Sequence, residues 1–338
     1  MIPVFFGLEG QALTADERTL FEAAAPAGYI LFRRNIDTPE QLRRLTDSLR
    51  DFAGNPKLPI LVDQEGGRVA RLGPPYWPEF PPAARFGAAY RQAPLTALAA
   101  ARANAQALAV MLGTCGISVD CLPLLDVAGA DTHEVIGDRS FGDDPDLIAS
   151  LGRATLDGLR AGGVVGVMKH IPGHGRATCD SHLSLPTVSA SAEELERDLA
   201  PFRRLADAPM AMTAHIRYPA WDDVRCASTS PRIIDDIIRG RCGFDGLLMS
   251  DDLGMEALAG EPGCATMADR ARAVLDAGCD IALHCSGSFG EMAAVAEAVA
   301  PIGAEAARRL QRAMAWPAVP QGTLADLAAR RDSLLAAA

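Results

Sequence analysis

Val164-Val-Gly-Val-Met-Lys-His170 is a short apolar run that closes on a lysine and a histidine, and it follows a stretch of helical spacing from Pro145 to Ala161. The run is too short for a helix and lacks the polar alternation of a strand with one wet face, so it reads as a strand buried on both faces. The same grammar recurs along the chain. Apolar runs lie at Val4 to Leu8, Gly28 to Arg33, Leu58 to Asp63, Ile117 to Asp126, Pro209 to His215, Gly246 to Asp251 and Asp280 to His284. With the first, these make about eight strands, the number a closed parallel barrel needs.

Between the runs lie helical stretches at Thr14 to Ala25, Pro39 to Ala53, Leu95 to Met111, Pro145 to Ala161, Ser191 to Leu205, Pro231 to Arg239, Thr266 to Ala277 and Phe289 to Ala300. Capping residues support them, with Asp37 and Thr38 before Pro39 and Ser230 before Pro231. Regular alternation of strand and helix predicts an α/β fold, a (β/α)8 TIM-type barrel. No linker or low-complexity segment divides the chain, so residues 1–338 read as one catalytic barrel domain with additional helices from about residue 304.

The 338 residues include 49% hydrophobic and 22% charged side chains, which excludes disordered and collagen-like classes. With 32 basic and 43 acidic residues the formal charge is −11, so phosphate backbones and anionic membranes would repel the chain. Neither nucleic acid nor membrane is an expected partner. The eight cysteines contain no C-x-x-C pair and read as buried free thiols. The N-terminus lacks a charged signal region and no run approaches the roughly 20 apolar residues of a membrane span, so a cytoplasmic location is the default expectation.

The longer connections follow strands: Gln64 to Gly87, Ala128 to Asp144 and Ile171 to Ser189. In a barrel these are loops of the C-terminal face, where active sites sit. Asp63, Asp126, Lys169 with His170, His215, Asp251 and His284 each close an apolar run, so the barrel is expected to gather them at one mouth.

Three constellations carry possible chemistry. Lys169-His-Ile-Pro-Gly-His-Gly-Arg-Ala-Thr-Cys-Asp-Ser-His182 holds three of the six histidines. His170 and His174 are four apart, but Pro172 and Gly173 spoil the helix that would aim both imidazoles at a metal, and none is expected. Asp180 and His182 are one residue apart and in an extended loop point the same way, so the carboxylate can orient the imidazole and favour its charged form, as a general acid/base needs. Gly246-Leu-Leu-Met-Ser-Asp-Asp-Leu-Gly254 is a buried strand ending in carboxylates; either Asp251 or Asp252 could be a nucleophile, and parity alone leaves the choice open. In Asp63-Gln-Glu-Gly-Gly-Arg-Val-Ala-Arg71 the two glycines allow a tight turn that returns Arg68 or Arg71 over Asp63, a pairing suited to clamping hydroxyls.

These three motifs, with Val135-Ile-Gly-Asp-Arg-Ser-Phe-Gly142, resemble glycoside hydrolase family 3, and within it the bacterial β-N-acetylglucosaminidases of cell-wall recycling. The likeness covers nearly the whole chain in order. It implies a retaining exo-β-N-acetylglucosaminidase (β-N-acetylhexosaminidase) acting on N-acetylglucosaminyl-1,6-anhydro-N-acetylmuramic acid and its peptides, with no cofactor. Asp251 is then the nucleophile, His182 the acid/base and Asp180 its orienting partner. Asp63, Arg71, Arg139, Lys169 and His170 would hold the sugar's hydroxyls and N-acetyl group, and the chain would work as a monomer or weak oligomer.

Arg176 stands where many relatives have a small or acidic residue, which leaves open what its charge does to the dyad loop. Gly173, Gly175 and several small residues suggest that this loop moves. Tyr76 and Trp77, among prolines, read as packing anchors rather than a sugar platform. Against the glycosidase stand a metal-dependent hydrolase using His170, His174 and His182, a non-catalytic sugar-binding module, and a Schiff-base enzyme at Lys169.

Overall fold

Eight parallel strands close on themselves in the computed structural model, which describes residues Met1 to Ala338. They are β1 (Ile2–Gly7), β2 (Pro26–Leu31), β3 (Ile60–Val62), β4 (Val119–Asp120), β5 (Val165–Ile171), β6 (Met210–Thr213), β7 (Leu247–Asp252) and β8 (Ile281–His284). Each neighbours the next in sequence, and β8 returns to β1 through pairs such as Phe5 with Leu283. The fold is the expected (β/α)8 barrel.

Side-chain parity divides the sheet into two cores. Val165 and Val167, Met210 and Met212, and Leu247 and Met249 point into the barrel. Met168, Ala211 and Leu248 join the larger cluster under the helices. The fourth strand is shorter than the run Ile117 to Asp126 suggested. Pro123, which has no N–H for the ladder, follows a cis peptide bond, and pairing resumes as a single bridge from Leu124 to Lys169.

The helices around the barrel are α1 (Ala15–Ala24), α2 (Pro39–Ala53), α3 (Ala83–Gln92), α4 (Pro94–Thr114), α5 (Pro145–Ala161), α6 (Ala192–Arg204), α7 (Met267–Asp276) and α8 (Phe289–Ala298). Of the two residues proposed to cap α2, Thr38 is the N-cap and accepts from Gln41 N at 3.1 Å. The stretch Pro231 to Arg239 forms a π-helix, Ile233–Arg241, whose start bonds to Ser230 Oγ at 3.1 Å.

Two expectations need correction. The connection Gln64 to Gly87 is not all loop: it contains a small hairpin, Gln64–Gly66 with Val69–Ala70, and enters α3. Helix α4 also has the length and hydropathy of a membrane span, which the reading of apolar runs had missed because small alanines carry it. Its apolar surface is used inside the molecule, against α5 and α10 (Leu324–Ala337).

Helix α9 (Ala304–Met314) closes the far end of the barrel, where Leu310 and Ala313 join the inner core. Arg309 fixes it by reaching Asp280 and Asp245, each at 3.0 Å. With that end plugged, the open mouth is at the C-terminal ends of the strands.

Candidate active site

A cavity of about 510 Å³ opens at this mouth, and its wall includes Asp63, Arg71, Arg139, Lys169, His170, Asp180, His182 and Asp251. All eight residues singled out from the sequence are thus brought together, although they come from five different loops or strand ends.

Both carboxylates of β7 border the cavity, and a register shift against β8 between Met249 and Asp252 means that alternation along the strand does not separate them; their bonding does. Asp251 Oδ1 accepts from Asp252 N at 2.8 Å. Asp252 also borders the cavity, but its Oδ1 is occupied by the backbone N–H groups of Gly254 at 3.1 Å and Cys285 at 3.0 Å. Burial opposes a charge on Asp251, yet the rings of His170 and His215 and the Asp252 N–H outweigh it and hold its carboxyl below the usual range.

Opposite lies a charged network built on Lys169. Its Nζ is 3.0 Å from Asp63 Oδ1 and 2.7 Å from Glu65 Oε1, with the side chain only 2% exposed. Arg71 reaches Asp63 Oδ2 at 3.1 Å, while Arg139 grips both oxygens of Glu65 at 2.8 and 2.9 Å. Burial alone would neutralise these acids, but Lys169 with Arg71 or Arg139 keeps both carboxyls below their ordinary values. Burial likewise opposes the ammonium, and Asp63 and Glu65 raise it above a normal lysine. The tight turn is confirmed, with Gly66 and Gly67 both at positive φ, and it returns Arg71 over Asp63. Arg68 turns away to Asp138 at 3.1 Å and to carbonyl oxygens of the loop after β4.

Consecutive Lys169 and His170, joined by a cis peptide bond, both line the cavity. Asp126 lies beneath: its Oδ2 is 2.8 Å from His170 Nδ1, and its Oδ1 accepts from the backbone of His170 at 3.2 Å and of His174 at 2.7 Å. Asp126 was expected at the mouth and instead supports the residues that are there. His284 also departs from expectation. Leu283 and Cys285 face the cavity, so His284 points outward to Phe6 and bonds Glu291 at 3.0 Å. His215 is buried beside the floor, between Ser228 Oγ at 2.7 Å and the Asp252 carbonyl at 3.0 Å.

The dyad hangs over the cavity on the loop after β5. His182 Nδ1 is 2.7 Å from Asp180 Oδ1, which also accepts from His182 N at 2.9 Å. The imidazole is 63% exposed at the rim. Arg176 does not face the cavity: it bonds Asp198 of α6 at 2.5 Å. Trp77 is buried in the core, as a packing anchor should be, whereas Tyr76 leans on it edge-on and remains exposed.

Sequence reasoning passed over Glu65, although it stands inside the quoted Asp63 to Arg71 motif, and gave no role to Phe32, Arg34 or Cys285 on the wall. Glu65 could have been found from charge balance, since two cations near one aspartate want a second acid. No three His, Cys, Asp or Glu side chains converge in the geometry of a shared cation, and the histidine nitrogens at 170 and 174 that bond here are directed to Asp126 and Ser181.

Comparison with known proteins matches this arrangement to a family. Residues 8–315 fit the Glycosyl hydrolase family 3 N terminal domain. A β-hexosaminidase of Alkalilimnicola ehrlichii is 42% identical over 287 residues, 84% of this chain and 80% of that relative. Another, from Chromobacterium violaceum, is 40% identical over 313 residues, 92% of this chain and 86% of the relative. The crystal structure of NagZ from Neisseria gonorrhoeae in complex with N-trifluoroacetyl-D-glucosamine superposes with a TM-score of 0.87 at 33% identity, covering 99% of this chain and 97% of that one. On this combination of family match and near full-length similarity, the chain belongs to glycosyl hydrolase family 3.

Proposed function

We propose that this glycoside hydrolase is a β-hexosaminidase that removes a terminal β-linked N-acetylglucosamine with retention of configuration, and that its substrates are peptidoglycan fragments such as N-acetylglucosaminyl-1,6-anhydro-N-acetylmuramic acid and its peptides. The observation that carries the reading is the sharing of one cavity by Asp251 and the Asp180–His182 pair. The names of the relatives, and the N-acylated glucosamine held by the Neisseria protein, support the sugar class.

In the first step Asp251, kept ionised by its neighbours, attacks the anomeric carbon while protonated His182 gives its proton to the departing glycosidic oxygen. The C–O bond to the leaving group breaks as the glycosyl-aspartate bond forms. In the second step neutral His182 takes a proton from water, which attacks the same carbon and releases Asp251. Retaining enzymes usually employ two carboxyl groups about 5 Å apart, and a histidine in the acid position is a departure from that pattern. Asp180, accepting from Nδ1, leaves Nε2 as the nitrogen that faces the reacting oxygen. The Lys169 network and His170 supply a fixed set of donors and acceptors for the hydroxyls of the sugar, with little reorganisation needed on binding.

The test is release of the aryl alcohol from an aryl N-acetyl-β-glucosaminide by the purified protein, with and without chelator, beside Asp251→Ala. Chelator-resistant turnover that disappears in the variant supports the metal-free glycosidase and its nucleophile. Absence of turnover, or its abolition by chelator, overturns the proposal and favours the metal-dependent reading.

A further inference from the structure

Within the dyad loop, residues 178–185 make almost no side-chain contact with the rest of the protein by hydrogen bonding. Cys179 bonds Ser184, and Asp180 bonds His182, all inside the segment. Ser181 is the exception. It lies between the two dyad residues and is itself buried, and its Oγ is 3.1 Å from Nε2 of His174.

His174 is well placed to receive it. The imidazole is 3% exposed, packs edge-on against His170 with centroids 5.5 Å apart, and follows a backbone N–H held by Asp126 at 2.7 Å. Its Nδ1 has no partner, so Ser181 is the one polar contact of the ring. Burial, with His170 beside it, lowers its pKa to about 4, and at neutral pH the ring is an uncharged hydrogen-bonding group.

The pair Asp180–His182 is internally rigid, because one carboxylate oxygen holds both the backbone and the ring of His182. What fixes this unit over Asp251 is Ser181, aided by two backbone contacts from the loop after β7: Ala257 N to Ser181 O at 3.2 Å and Glu256 N to His182 O at 3.4 Å. We propose that the Ser181–His174 hydrogen bond is the latch that seats the acid/base over the glycosidic oxygen, which makes both Ser181 and His174 positioning residues that act through His182.

This inference rests on the proposed role of His182, and the test separates the two. Full-length Ser181→Ala, Ser181→Thr, His174→Gln and His182→Ala proteins are assayed on N-acetyl-β-glucosaminides carrying a poor leaving group, methoxyphenol, and a good one, dinitrophenol. Because His182 is also the base of the second step, the comparison is made on kcat/KM, which reports the first: a misplaced acid lowers it only for the substrate that needs its proton. Ser181→Ala is expected to lose about tenfold in kcat/KM on the methoxyphenyl substrate, with kcat/KM on the dinitrophenyl substrate within about twofold, as the loss of one hydrogen bond allows. Ser181→Thr, which keeps the hydroxyl, restores the rate. His174→Gln breaks the latch from the other side and gives a second reading on the same substrates.

Equal losses of Ser181→Ala on both substrates, or none on either, overturn the latch. If His182→Ala itself shows no dependence on the leaving group, the acid/base reading has failed and the latch with it. If His182→Ala shows that dependence and the Ser181 and His174 variants do not, the latch alone has failed.

Discussion

A single oxygen of Asp180, Oδ1, lies 2.7 Å from Nδ1 of His182 and 2.9 Å from the backbone nitrogen of the same residue. The spacing of one residue lets the carboxylate close a small ring on its neighbour, so the orientation of the imidazole is written into the local sequence and needs no help from the barrel. Removing Asp180 therefore leaves the imidazole in place but free to turn.

From this pairing, His182→Ala is expected to lower kcat on the natural disaccharide by about 10²–10³-fold, and Asp180→Ala by less. In kcat/KM on a dinitrophenyl glycoside, which reports the first step alone, both losses shrink to about tenfold or below, because the departing phenolate needs no proton. Steady-state rates over a series of aryl leaving groups decide the matter; parallel losses along the series would remove the acid role from the dyad.

Burial opposes a charge on Asp180 as it does on Asp251, but the His182 N–H groups in one case and the His170 and His215 rings in the other bring both carboxyls below the ordinary aspartate value. Both groups must be ionised for the proposed first step. Their shift moves the acid limb of the rate profile downward, so kcat/KM on an aryl glycoside is expected to hold from neutrality to below about pH 4 before these acids protonate. An acid limb centred at about pH 4 or above in the wild type would show that the carboxyls titrate normally or higher.

Much of this arrangement was legible in the sequence for a physical reason. Strands buried on both faces leave uninterrupted apolar runs, and their polar ends mark the mouth of the barrel. That is why Asp63, Lys169 and Asp251 could be named before any coordinates. What the sequence hid depends on direction. Asp251 and Asp252 are adjacent and both border the cavity, and only the backbone N–H groups of Gly254 and Cys285 that occupy Asp252 set them apart. His284 closes its run as Lys169 does, yet parity turns it toward Phe6. Pro123 ended the fourth strand early, and the alanine-rich α4 concealed its apolar length in small side chains. The contact of Arg176 with Asp198 joins a loop to the helix after it and has no signature in spacing.

The Arg176–Asp198 bond ties the first part of the dyad loop to α6, where Asp198 is buried and has no other side-chain partner. At the same point Tyr218 donates to the Gly173 carbonyl at 2.8 Å, so this end of the loop is anchored separately from the Ser181–His174 contact that holds the dyad beyond it. Burial raises the carboxyl of Asp198 despite the arginine, and without Arg176 the acid is left unpaired. Arg176→Ala is expected to destabilise the protein by about 2–3 kcal/mol and to speed hydrogen exchange across residues 173–185, measured by urea unfolding and mass spectrometry. Replacing both partners, Arg176→Met with Asp198→Leu, should recover part of the loss. Exchange in the single variant equal to that of the wild type would mean that the pair does not hold the loop.

Asp63 is one of the two acids that hold the Lys169 network, accepting from both Lys169 and Arg71. Its native carboxyl lies well below the unfolded value of about 3.9, so the unfolded chain binds the proton first as pH falls. The stabilisation it provides is complete above that unfolded value and is lost as pH falls through the depressed native one. Lys169 runs the other way: its raised native value keeps its contribution whole below about pH 10.4 and loses it only as pH climbs higher. Between those limits neither titrates, and Asp63→Asn, which leaves Lys169 with Glu65 alone, is expected to cost about 3 kcal/mol at pH 7. Urea unfolding of wild type and variant from pH 7 down to about pH 3 should show that difference constant to near pH 4 and narrowing below it. A gap that stays constant across the whole range would mean that Asp63 contributes through packing and not through its charge.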